Sequence, residues 1–224
     1  PGSDASSRAA SRRPALVHND GPPAGVSRRD ALCLIGTLAA SPSAVIAGSG
    51  PMHRPIPATR ELLPVLGLGT WRVLDVPPSG LDFDAAGAAL RQFLEAGGKV
   101  IDSSPMYGRA EERVGDILAE VRPAPPVFLA TKIWTHGKQA GHAQLADSHR
   151  LMRAKTLDLV QVHNLQDLDT HLATLRAAKE AGTVRYIGVT HYLDSAHAEL
   201  ERVIRRERPD FLQINYSLAE PEAG

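Results

Sequence analysis

From Leu63 onward, apolar runs that are nearly continuous alternate with stretches whose apolar residues recur every three or four positions. The runs Leu63–Thr70, Lys99–Asp102, Val127–Lys132, Leu157–His163, Val184–Thr190 and Phe211–Tyr216 are predicted strands. Between them, Ala86, Leu90, Phe93 and Leu94 share one helix face, which Gly97-Gly98 ends. Val114, Ile117, Leu118 and Val121 predict a second helix, and a third spans about Leu145 to Ala154. Leu168, Leu172 and Leu175 mark a fourth, stopped by Gly182, and Leu200, Val203 and Ile204 a charged fifth. Strands without polar alternation, separated by amphipathic helices, predict a parallel sheet covered by helices. An open doubly wound sheet would need G-x-G-x-x-G at its first turn. The chain instead has Gly67-Leu68-Gly69-Thr70-Trp71-Arg72, without the third glycine. Its polar candidates sit at the C-terminal ends of several strands, as the active face of a (β/α)8 barrel requires.

Those candidates form an ordered series: Asp102 at one strand end, Tyr107 five residues later, Lys132 at the next strand end and His163 at the one after. Asp, Tyr, Lys and His are the parts of a carbonyl reduction site. A phenol, with an ordinary pKa of about 10, donates a proton more readily near neutrality when an ammonium stabilises its anion. A carboxylate keeps that ammonium charged and in place. Taken singly, each residue has a bland reading: a turn cap, a half-buried core tyrosine, a solvated lysine, a structural histidine. The ordered set favours catalysis. His53, His136, His142, His149, His171 and His197 show no metal-ligand spacing and are predicted surface or loop residues.

Composition narrows the function classes. Lys and Arg number 25, as do Asp and Glu, so no positive surplus points to nucleic acid or a polybasic membrane contact. Cys33 is the only cysteine, which leaves no intramolecular disulfide. Residues 1–58 read as a leader rich in Ala, Ser, Pro, Gly and Arg. It contains Arg28-Arg29, an interrupted apolar run from Ala31 to Ala47, and small residues suited to cleavage near Ala47. That series resembles a twin-arginine export signal and predicts a periplasmic or exported protein handled by the export machinery, with a cytoplasmic location as the alternative. The run falls short of the about 20 apolar residues of a membrane span.

Across 59–224 the residues resemble the aldo/keto reductase family. The resemblance rests on Leu66-Gly67-Leu68-Gly69-Thr70-Trp71, on Val100 through Gly108 followed by Glu111-Glu112-Arg113-Val114-Gly115, and on Phe128 through Lys132. Leu157 through Asn164, Gly182 through Thr190, and Gln213 complete it. It implies a (β/α)8 TIM-barrel fold, here incomplete with about six of eight strands. It also implies reduction of an aldehyde or ketone by hydride from NADPH, with NADH as the alternative. On this basis Tyr107 is the expected general acid, Lys132 lowers its pKa, Asp102 holds Lys132, and His163 orients the carbonyl. Thr70, Asp102, Thr190, His191 and Gln213 are expected at the cofactor, with His191 where the family usually carries Asn. Trp71, with Tyr107 and His163, is expected at the substrate. Because two barrel strands and the residues they usually carry are missing from this stretch, impaired turnover is also expected. The alternative to an enzyme is a barrel subunit that binds nucleotide without turning it over.

Overall fold

The computed structural model describes residues 51–122 and 126–217. The twin-arginine motif, the cleavage position and Cys33 lie outside the described residues.

Among the described residues, eight strands and five α-helices follow in chain order. β1 (His53–Pro55) and β2 (Leu62–Pro64) form an antiparallel hairpin, with Arg54 opposite Leu63. The parallel strands are β3 (Gly67–Gly69), β4 (Val100–Asp102), β5 (Phe128–Ile133), β6 (Leu157–His163), β7 (Val184–His191) and β8 (Phe211–Ile214). Their order in the sheet is their order in the chain. The connecting helices are α1 (Leu81–Glu95), α2 (Ala110–Val121), α3 (Lys138–Leu151), α4 (Leu168–Glu180) and α5 (His197–Glu207). This is six-eighths of a (β/α)8 barrel. The sheet curls until Gln213 on its last strand donates to Asp102 on its second, at 3.2 Å.

Strand period two sorts the side chains. Ile101, Ile133, Val160, Val162, Val189 and Ile187 face the helices and pack with Leu90, Ile117, Leu145, Leu172, Leu175 and Leu200. Phe128, Ala130, Leu159 and Tyr186 face inward and form a second cluster with Ile56 from the hairpin side. The Tyr186 hydroxyl donates to Glu61 at 2.9 Å, and Arg185 bridges Glu61 and Asp158. The hairpin is thereby fastened against the strands.

Three expectations are revised. The run Leu63–Thr70 is two strands, because Leu62–Pro64 pairs antiparallel with β1 whereas Gly67–Gly69 pairs parallel with β4. The hairpin begins at His53. The third helix starts at Lys138 rather than near Leu145. Its buried face is Gly141, Leu145 and Ser148, correctly spaced but mostly too small and polar for an apolar count to register. His171, expected at the surface, is fully buried on α4, with Nε2 on the Thr135 carbonyl at 2.8 Å.

Candidate active site

Parallel pairing brings the C-terminal ends of all six strands to one face. Register does the rest: Gly69 lies beside Asp102, Asp102 beside Ala130, and Lys132 beside Gln161. His163 then aligns with Thr190, and Thr190 with Gln213. The inward alternation that buries Phe128 and Ala130 delivers Lys132 to the same side. In β6 it likewise carries Leu159, then Gln161, then His163.

Lys132 is buried, and its Nζ donates to Asp102 Oδ2 at 2.7 Å and to the Ser103 carbonyl at 2.8 Å. The same Nζ stands 5.1 Å from the centre of the Tyr107 ring. That ring meets His163 edge-on, with centroids 6.2 Å apart, and Trp71 at 6.5 Å. The four expected catalytic residues therefore share one site. They line a cleft of about 230 Å³ with Asn164, Thr190, His191 and Gln213, apart from Asp102, which lies behind Lys132. A larger hollow of about 670 Å³, between Leu94, Lys99 and Arg122, lies away from all of them.

The electrostatics depart from expectation at Tyr107. Its hydroxyl is pushed up to about 12 by burial and by the Asp102 charge, not down by Lys132. The reason is geometric: the ammonium lies over the ring and spends its hydrogen bonds on Asp102 and Ser103. Next to that carboxylate its field at the phenol is largely cancelled. Burial pulls Lys132 below its ordinary value, and Asp102 opposes the shift. His163 falls from 6.5 to about 4, through burial first and then the charges of Lys132 and His191. At neutral pH the cleft thus holds a protonated phenol and a neutral imidazole.

The His163 shift has a consequence for stability. Between about 4 and 6.5 the folded chain binds fewer protons at this ring than the unfolded chain. Stability is complete above that window and is lost as the pH falls through it. The loss is roughly 2 kcal/mol after allowance for the solvent at the cleft mouth. Urea unfolding followed between these pH values is expected to show that slope, and His163→Gln to flatten it. Equal slopes in the two proteins would assign the acid sensitivity elsewhere.

The remaining expected residues divide. Thr190 is buried beside the cleft. His191 accepts the Leu193 N–H at Nδ1 (3.1 Å), so its neutral ring carries the proton on Nε2. Gln213 reaches the cleft, yet its amide also accepts from Gln161 at 3.0 Å and donates to Asp102. Thr70 is fully buried and donates its hydroxyl to Ser103 Oγ at 3.0 Å, away from the cleft. Trp71 is exposed at the rim.

Sequence reasoning missed Gln161, Ser104, Asn164 and Glu111. Gln161 precedes His163 by two positions, so strand alternation places both on the inner face. Gly188 leaves room for it: a Cβ there would stand 2.9 Å from Gln161 Cγ. Ser104 Oγ lies 3.2 Å from His163 Nδ1. Asn164 Oδ1 is buried without a hydrogen-bond partner among the described residues. Glu111 on α2 accepts from Thr131, next to Lys132, at 2.5 Å, and burial raises its pKa.

The model of the Aldo/keto reductase family matches residues 65–223. Aldo-keto reductase YhdN of Bacillus subtilis is 30% identical over 142 residues, covering 57% of this chain and 43% of the relative. Methylglyoxal reductase DkgB of Salmonella typhi is 28% identical over 138 residues, covering 58% of this chain and 48% of the relative. The chain thus spans about half the length of the curated relatives it matches. Among solved structures, an aldo/keto reductase from Klebsiella pneumoniae, in complex with NADP and acetate, superposes with a TM-score of 0.55 at 29% identity. The superposition covers 64% of this chain and 51% of that one. A family match over most of the chain, on a curled parallel sheet with Asp102, Tyr107, Lys132 and His163 gathered at one end, makes this chain a member of the aldo/keto reductase family.

Proposed function

We propose that this stretch carries the catalytic face of an NAD(P)H-dependent oxidoreductase that reduces an aldehyde or ketone, with NADPH as its cofactor. The observation that carries the reading is the convergence of Tyr107, Lys132 and His163 on one cleft, with Asp102 bonded to Lys132.

The cleft suits a nicotinamide carboxamide. Asn164 offers an unpartnered carbonyl oxygen to an amide N–H, His191 offers Nε2–H, and Thr190 adds a hydroxyl. When bound, the nicotinamide supplies hydride. The chain's own residues do the remainder. His163 orients the carbonyl oxygen, and Tyr107 gives its proton to that oxygen as negative charge develops. The Lys132 ammonium, bonded to Asp102 and to the Ser103 carbonyl, packs against the Tyr107 ring and holds it at the cleft. The protein's contribution is alignment and electrostatics.

NADPH titration of the purified chain, followed by cofactor fluorescence, tests the reading. Saturable binding is expected, followed by NADPH oxidation when methylglyoxal, a small dicarbonyl probe, is added. A folded sample that binds no nucleotide would overturn it. A second reading, nucleotide binding without turnover, is favoured by the geometry at Lys132, whose Nζ donates to Asp102 and the Ser103 carbonyl and not to the Tyr107 hydroxyl, leaving burial to hold the phenol's proton. Saturable binding with no oxidation of NADPH by any carbonyl would support that alternative.

A further inference from the structure

Ser104 stands just past the end of β4, two residues after Asp102, and is fully buried. Its Oγ accepts the backbone N–H of Met106 at 3.4 Å and lies 3.2 Å from Nδ1 of His163. A hydroxyl has one proton to give and two lone pairs. If Nδ1–H donated to Oγ, the buried hydroxyl proton would have no acceptor among the described residues. If the hydroxyl donates to Nδ1, both Ser104 bonds are made and the ring needs no second proton. We infer that Ser104 is a positioning residue: its hydroxyl donates to Nδ1 of His163 and holds the neutral ring as the Nε2–H tautomer, with the N–H turned to the cleft.

The tautomer matters because the two neutral forms present opposite chemistry at Nε2. As N–H it donates to a carbonyl oxygen. As a bare nitrogen its lone pair repels that oxygen. Burial keeps the ring neutral, since protonation is displaced to about 4, so the tautomer rather than the charge decides what Nε2 offers. The edge-on contact with Tyr107 fixes the ring plane, and Ser104 fixes its protonation. The consequence for catalysis rests on the carbonyl-reduction reading. The tautomer itself does not.

The test is therefore spectroscopic first. In the histidine-¹⁵N-labelled chain at neutral pH, long-range ¹H–¹⁵N correlation spectra are expected to show His163 with a protonated Nε2 and an unprotonated Nδ1. The signals are assigned by their loss in His163→Gln. Ser104→Ala, which keeps the volume nearly unchanged, is expected to give a mixture of tautomers, and Ser104→Thr, which retains a hydroxyl, to restore the single form. An Nδ1–H form in the parent chain, or an unchanged single Nε2–H form in Ser104→Ala, would overturn the inference. Where turnover is measurable, Ser104→Ala is expected to lower kcat/KM about tenfold, which corresponds to about 1.4 kcal/mol, with nucleotide affinity unchanged. Absence of turnover in the parent chain bears on the proposed function and leaves the spectra to decide the role of Ser104.

Discussion

Replacing Tyr107 with Phe is expected to lower carbonyl reduction by about 10²–10⁴-fold, the usual worth of a positioned proton donor. Nucleotide affinity is expected to stay within about twofold, since a lost neutral contact costs little where none is made. The separation follows from what the hydroxyl does in the free protein. It makes no hydrogen bond among the described residues, so its removal strands no partner. The ring's contacts with Trp71, His163 and the Lys132 ammonium are contacts of the aromatic face and edge, and Phe keeps them. A loss of rate would therefore report proton delivery and not a damaged fold. NADPH absorbance with methylglyoxal gives the rate, and cofactor fluorescence gives the affinity. If Tyr107→Phe retained the parent rate, the proton would have to come from His163 or water, and the role given to the phenol would be wrong.

The gathering of Asp102, Tyr107, Lys132 and His163 could be read from the chain because Lys132 and His163 lie at the ends of long apolar strands, and Asp102 ends a short one with Tyr107 five residues on. Parallel pairing then brings those ends together without further information. What spacing does not encode is where a long side chain points. Lys132 was expected to depress Tyr107, but its Nζ turns to Asp102 and Ser103, and the phenol rises instead. Gln161 escaped notice because a single polar residue inside an apolar strand looks like noise until its neighbours prove to be Lys132 on one side and Gly188 on the other. The start of α3 was missed because its packing face is made of Gly141 and Ser148 as much as of Leu145. The β1–β2 hairpin was missed because three-residue strands carry too few positions to show alternation. His171 looked like a loop residue because its burial depends on the Thr135 carbonyl, a partner 36 positions away in the chain.

The last of the small residues decides the second large effect. Gly115 sits in the middle of α2, where alanine is the better helix former by about 1 kcal/mol. Propensity alone predicts that Gly115→Ala stabilises the chain. The packing predicts the opposite. A Cβ at Gly115 would stand 2.0 Å from the carbonyl oxygen of Leu151, at the end of α3, and 3.1 Å from two further backbone carbons. No rotamer relieves a clash between Cβ and backbone, so α2 and the end of α3 must separate. Overpacking of this kind costs about 1–3 kcal/mol and occasionally more. The absence of any soft neighbour puts this position at the upper end, and a net loss of about 2–3 kcal/mol is expected. For a domain of this size that lowers Tm by roughly 5–10 °C. Gly87→Ala in α1 is the control: its added Cβ meets only the flexible end of Arg91, at 3.6 Å, so the propensity gain of up to about 1 kcal/mol is expected to appear undiminished. Thermal unfolding of the two variants beside the parent chain separates the effects. The site feels the first change as well, because α2 carries Glu111 to Thr131, the residue before Lys132. If Gly115→Ala were as stable as the parent, the close approach of α2 to the end of α3 would be refuted, and with it the seating of Glu111 behind Lys132.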